Sequence, residues 1–181
     1  MIRGELVGLR ALEKEDLIHL RDWRNLSHFR KHFREIRELS LNDQESWFNH
    51  LQQTRDKNFM FGIVRLSDGK LIGACGLLYV NWVIRSADYS FYIGENEAYI
   101  DDKGWAKEAT KLLLQYGFNN LNLNKVWMEL YEFDSQKISF FMNEFQFAQD
   151  GILRDNCYEE GRFWNSILIS LLKKDYNLKQ Q

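Results

Sequence analysis

Proline is absent from the 181 residues, so no rigid proline-rich linker divides the chain. Cysteine is scarce: Cys75 and Cys157 stand far apart and form no C-x-x-C pair, which argues against a zinc knuckle or redox dithiol and leaves two reduced packing residues. No apolar run approaches the roughly 20 residues that cross a bilayer. Met1 to Leu20 mixes Glu, Lys, Asp and Arg with apolar residues instead of building a signal peptide. Cytoplasmic residence without a membrane partner is the expectation. An excess of one charge is also missing: 24 Lys and Arg against 26 Asp and Glu leave -2, too weak a field to suggest nucleic acid as a partner.

What the chain has in quantity is core material, 45% hydrophobic with six Trp, eight Tyr and thirteen Phe, enough for a single domain over residues 1–181. A strand is expected near Glu5 to Ala11. Leu17, Leu20 and Trp23 then recur at helical spacing. Ser40 followed by Asp43 has the form of a capping box, opening a helix striped by Trp47, Phe48 and Leu51. Ser27 to Leu39 shows no clear period. Strands are expected over Phe59 to Leu66, Leu71 to Val80 across an Asp-Gly turn, and Ser86 to Gly94. Ala106, Ala109, Leu113 and Tyr116 mark a central helix, Lys125 to Glu132 a strand, and Ile138, Phe141, Met142 and Phe145 a further helix. Gly151 to Tyr158 and Arg162 to Leu172 close as a hairpin. The order βαα, βββ, α, β, α, ββ reads as α+β, a mostly antiparallel sheet flanked by helices.

The segment from Ala87 to Phe118 runs strand, loop, helix, and the first helical turn holds Gly104 and Ala106. Small residues let backbone approach a ligand, and free N–H groups with about half a positive charge suit a pyrophosphate. "DDKGWA" resembles the [QR]-x-x-G-x-[GA] signature of the GNAT superfamily, with Asp101 at the first position in place of a side-chain donor. "ADYSFYIG" and "GILRDNCYEEGRFWNSILISLLKKDY" resemble the strand and closing hairpin of the branch that holds the ribosomal-protein N-terminal acetyltransferases.

This resemblance implies the GNAT acyl-CoA N-acyltransferase fold, with a twisted, splayed sheet, and an acetyl-CoA-dependent N-acetyltransferase in which an amine attacks directly in a ternary complex. It implies a cofactor arm paired near Tyr92 and Ile93, and contacts from Asp102, Lys103, Gly104, Trp105, Ala106, Lys107, Asp134 and Lys137. Glu129, on a strand like the family's L-E-V-x-x-x-N, and Asp88 are the candidate bases. The family's usual acid, a Tyr, is replaced by Met142 or Phe141, neither of which can donate a proton. Tyr131, Tyr158, Ser166 or a water are the substitutes.

Between His19 and Arg37 six basic residues face two acids, a local +4. With Trp23, Arg24 and Arg34 there, and Trp82, Arg85 and Trp164 at strand ends, the acceptor expected is a phosphate-bearing amine such as a nucleotide-linked amino sugar. A protein α-amine is the alternative acceptor, and a CoA-binding module without catalysis the alternative class. His28 and His32 lie one helical turn apart, but no second cluster accompanies them, so no metal is expected. A monomer or homodimer is expected.

Overall fold

A computed structural model describes residues 1–177. Eight strands form one sheet: β1 (Ile2–Arg3), β2 (Val7–Ala11), β3 (Phe59–Arg65), β4 (Leu71–Asn81), β5 (Ser86–Ile93), β6 (Lys125–Tyr131), β7 (Ala148–Glu159) and β8 (Arg162–Leu172). Their spatial order is β1-β2-β3-β4-β5-β6-β8-β7. All pairs are antiparallel except β5 with β6. Helices α1 (Leu17–Asn25), α2 (Ser27–Arg30) and α3 (Leu41–Gln53) precede β3, and α4 (Trp105–Gln115), α5 (Ser135–Ser139) and α6 (Lys173–Asn177) follow β5, β6 and β8. This is the α+β arrangement expected from the sequence, a mostly antiparallel sheet flanked by helices. The additions are the two-residue β1, the single turn of α2 in the stretch without a period, and α6.

Strand alternation sorts the core into two layers. Tyr89, Phe91 and Ile93 of β5 pack with Ala109, Leu113, Phe118 and Phe141 beneath α4 and α5. Tyr92 of the same strand packs with Leu17, Leu20, Phe29, Phe48, Leu51 and Tyr99 beneath α1 to α3. The capping box is present: Ser40 Oγ accepts from Asp43 N at 3.1 Å, and Ser40 N donates to Asp43 Oδ2 at 2.8 Å.

β5 and β6 are in register only at Ser86–Lys125, Ala87–Val126 and Asp88–Trp127. Beyond Asp88, β5 follows β4 as far as Ile93, while β6 follows β8 as far as Tyr131. A slit therefore opens between the two strands, with Asp88 at its apex.

The start of the chain is tied to α4 by one carboxylate. Glu108 accepts from the backbone N–H groups of Glu5, Leu6 and Val7 at 2.8, 2.7 and 2.7 Å. Glu108→Ala removes three charge-assisted hydrogen bonds, two of them exposed, so the denaturant midpoint is expected to fall by the equivalent of about 1–2 kcal/mol.

Candidate active site

Two carboxylates converge at the apex. On β6, Trp127, Glu129 and Tyr131 alternate with the buried Val126, Met128 and Leu130, so Glu129 and Tyr131 share the face beneath α1 to α3. Arg34, from the segment after α2, reaches both acids, with Nη1 3.3 Å from Asp88 Oδ2 and Nη2 3.4 Å from Glu129 Oε2. The other oxygen of Glu129 accepts from Asn156 Nδ2 at 2.8 Å, and the same amide nitrogen lies 3.0 Å from Ser166 Oγ. Burial pushes the Asp88 carboxyl up to about 6, against the pull of Arg34 and with the help of the Glu129 charge. A carboxyl in that range can accept a proton from an amine near neutral pH.

A second polar group fills the slit. Lys137 is only 7% exposed and donates from Nζ to Phe91 O at 2.8 Å and to Tyr99 Oη at 3.1 Å. Asp134 caps α5 by accepting from Lys137 N at 3.3 Å, and accepts from Tyr99 Oη at 2.6 Å. His32 stacks on Tyr99 with ring centroids 4.6 Å apart, its Nδ1 3.3 Å from Asp134 Oδ2, and burial lowers its pKa. The sequence-predicted pair Asp134 and Lys137 is thus brought to the slit. Tyr99, which anchors both, and Asn156, which holds Glu129, carried no sequence signal.

The amides opening α4 already hold an anion, and it belongs to the chain. Asp101 accepts from Lys103 N and Trp105 N through Oδ2, at 2.7 and 3.0 Å, and from Ala106 N through Oδ1 at 2.6 Å. Gly104, in the left-handed region at φ 89°, turns the loop so that these donors converge. The expectation of open amides at Lys103, Trp105 and Ala106 is corrected. The donors fit one anionic group, and Asp101 stands where a phosphate would sit. The charged ends of the flanking lysines are also engaged: Lys107 pairs with Glu144, and Lys103 lies 4.9 Å over the ring of Trp105. Asp102 is exposed on the same loop.

The strand-pairing expectation is likewise changed. Ile93 exchanges both backbone hydrogen bonds with Tyr99, at 2.9 Å each, and Phe91 O is taken by Lys137. By alternation, the polar groups of Tyr92 face Ala74 on β4 instead of the slit.

The five arginines of the basic stretch are engaged within the protein. Arg21 pairs with Asp22, Arg30 with Glu38, Arg37 with Glu35, and Arg34 with the two site carboxylates. Arg24 lies 4.1 Å over Phe33, and burial lowers its pKa. Trp23 packs on Gly94, where an added Cβ would lie 1.9 Å from the indole. Trp82 and Arg85 sit at the β4–β5 turn, Trp82 donating to Asp56 O at 2.8 Å; neither has a hydrogen bond, ion pair or ring contact with the site acids among the described residues. Trp164 is better placed, edge-on to Phe133, whose ring also meets those of Tyr131 and His32. Tyr131 hydrogen-bonds with Cys157, and burial raises its phenol pKa. His28 faces Glu97 at 3.8 Å and His32 faces Asp134, so the two do not converge.

Residues 7–141 match the acetyltransferase (GNAT) domain model. The chain belongs to the GNAT family: it is an N-acetyltransferase with acetyl-CoA as co-substrate and a small amine as acceptor. It is 28% identical over 172 residues to spermidine N(1)-acetyltransferase of Escherichia coli K12, spanning 94% of this chain and 88% of that protein. It is 31% identical over 116 residues to a Bacillus licheniformis protein described as the uncharacterized N-acetyltransferase p20, spanning 64% of this chain and 63% of that protein. The Vibrio cholerae spermidine N-acetyltransferase in complex with CoA and spermine superposes with a TM-score of 0.84 at 24% identity, covering 96% of this chain and 99% of that one. No helix among the described residues is long and apolar enough to cross a membrane.

Proposed function

We propose that the protein acetylates a primary amine of an aliphatic polycation of the spermidine type. The observation that carries this reading is the guanidinium of Arg34 set between Asp88 and Glu129: the apex of the slit is built to receive a cation. Relatives named for spermidine acetylation along nearly the whole chain support it. A nucleotide-linked amino sugar fits less well, because the arginines that would clamp its diphosphate are spent on carboxylates or aromatic rings.

In this reading Asp88 is the base, and Glu129, held by Asn156, orients the acceptor ammonium. The main-chain donors of the α4 turn take the cofactor pyrophosphate once Asp101 leaves them. The cofactor supplies the activated acetyl group.

Thiol release from acetyl-CoA tests the acceptor, with spermidine, a UDP-linked amino sugar and an N-terminal peptide compared at equal concentration. Spermidine is expected to give the largest kcat/KM. Arg34→Ala removes the resident cation, whose side chain is 54% exposed, and is expected to lower KM for spermidine about 3- to 10-fold, the scale of two weak surface ion pairs. An unchanged KM would make Arg34 a rim charge. Binding of CoA with no thiol release on any acceptor would contradict this reading.

A further inference from the structure

We propose that Lys137 is the proton donor to the sulfur that departs in acetyl transfer, an assignment that rests on the slit being the path of the acyl group. Lys137 starts on α5 beside Phe140 and Phe141 in the layer beneath α4, yet its ammonium bonds to Tyr99 of the opposite layer. Its side chain therefore threads the gap where β5 and β6 have no mutual pairing. Any acyl group moving through that gap to an amine at Asp88 and Glu129 passes the ammonium. Two of its three donors are committed, to Phe91 O and Tyr99 Oη, and the third has no protein acceptor among the described residues.

The charged and titratable groups around it come from several elements. Burial is the main force pushing the ammonium down; Asp134 at the α5 cap and Asp88 on β5 hold it up, and Arg24 on α1 pushes it down again, to about 8. His32 and the Tyr99 hydroxyl complete the surroundings. A free thiol titrates near 8.5, so a proton moves between this nitrogen and a thiolate at little cost, the condition under which a general acid works well. The alternatives on the same helix cannot serve. Phe141 is buried against Tyr89, Phe140 and Phe147, and neither it nor Met142 carries a proton. Tyr89 Oη donates to Thr110 in the layer beneath α4.

The step balances. As the amine nitrogen bonds to the acetyl carbon and the carbon–sulfur bond breaks, the electron pair leaves with sulfur and the Lys137 proton goes to it. The acceptor ammonium loses two protons, one to Asp88 and one that restores the Lys137 ammonium. Asp88 then releases its proton to solvent.

The test compares wild type, Lys137→Met and Lys137→Arg, each saturated with CoA, by following the ultraviolet absorbance of the bound thiolate against pH. In wild type the ammonium should lower the bound thiol's pKa by about one unit relative to free CoA. Lys137→Met should lose that shift, and Lys137→Arg should keep it, because charge remains. Turnover separates charge from proton donation: both variants should lose about 100-fold in kcat with acetyl-CoA, since a guanidinium does not give up a proton. With an acetyl thioester of a nitrothiophenol, whose thiolate leaves unaided, the loss should shrink to under about 10-fold. If Lys137→Met fails to fold, Lys137→Gln keeps a donor for Phe91 O and takes its place. An unchanged thiol titration in folded Lys137→Met, or an unchanged kcat in either folded variant, overturns the proposal. So does an acetyl group found on Lys137 by mass spectrometry after incubation with acetyl-CoA, which would make the residue a nucleophile. Absence of CoA binding to wild type in calorimetry would instead remove the cofactor path on which the proposal stands.

Discussion

Asp88→Asn is expected to lower kcat/KM for a cationic acceptor by about 100-fold or more at neutral pH, within the range general bases contribute. The amide has nearly the volume of the acid, so acetyl-CoA affinity should stay within about threefold. The pH dependence has a definite sign. Burial raises the Asp88 carboxyl to about 6, and only the ionised form accepts a proton, so wild-type kcat/KM should rise as pH passes through about 6 and level off above it. Asp88→Asn should flatten that limb. Glu129→Gln should act mainly on KM if, as proposed, Glu129 orients the ammonium and Asp88 takes the proton. A pH-rate profile that keeps its acidic limb in Asp88→Asn and loses it in Glu129→Gln would exchange the two roles.

Asp101→Ala is expected to tighten CoA binding by about tenfold, read by calorimetry. Three amides that a pyrophosphate would use now bond to the Asp101 carboxylate, and two anions cannot share them. Removing the carboxylate takes away the competitor and leaves the donors. The same substitution removes a cap from the start of α4, at a cost near 1 kcal/mol, so the variant should melt earlier without CoA and gain more from its addition. Equal affinity in both proteins would mean that the pyrophosphate binds elsewhere.

The elements were legible because period and punctuation agree with the fold: Ser40 and Asp43 cap α3, Gly104 sits just before α4, and Asp68-Gly69 turns β3 into β4. The stretch after Asn25 was not, because α2 is one turn long and Phe29 is buried by tertiary packing, which no local period reports. The site divides the same way. Asp88, Glu129, Asp134 and Lys137 could be named from motif order. The meaning of the basic stretch could not, because a charge count is blind to pairing: Arg34 finds its partners 54 and 95 residues away. Asp101 was read as a missing donor, whereas its short side chain folds onto amides two, four and five residues ahead. An acid just before a helix start was the available signal. Trp82 and Arg85 were misplaced because both ends of a strand look alike in sequence, and only the slit distinguishes them.

A crystal structure of the protein with CoA and spermidine tests the central claim most directly. The account places the CoA sulfur in the slit between β5 and β6, a spermidine nitrogen within hydrogen-bond reach of Asp88, the Arg34 guanidinium moved aside, and Asp101 off the α4 amides. Saturating CoA with its sulfur outside the slit, and Asp101 still on Lys103, Trp105 and Ala106, would contradict it.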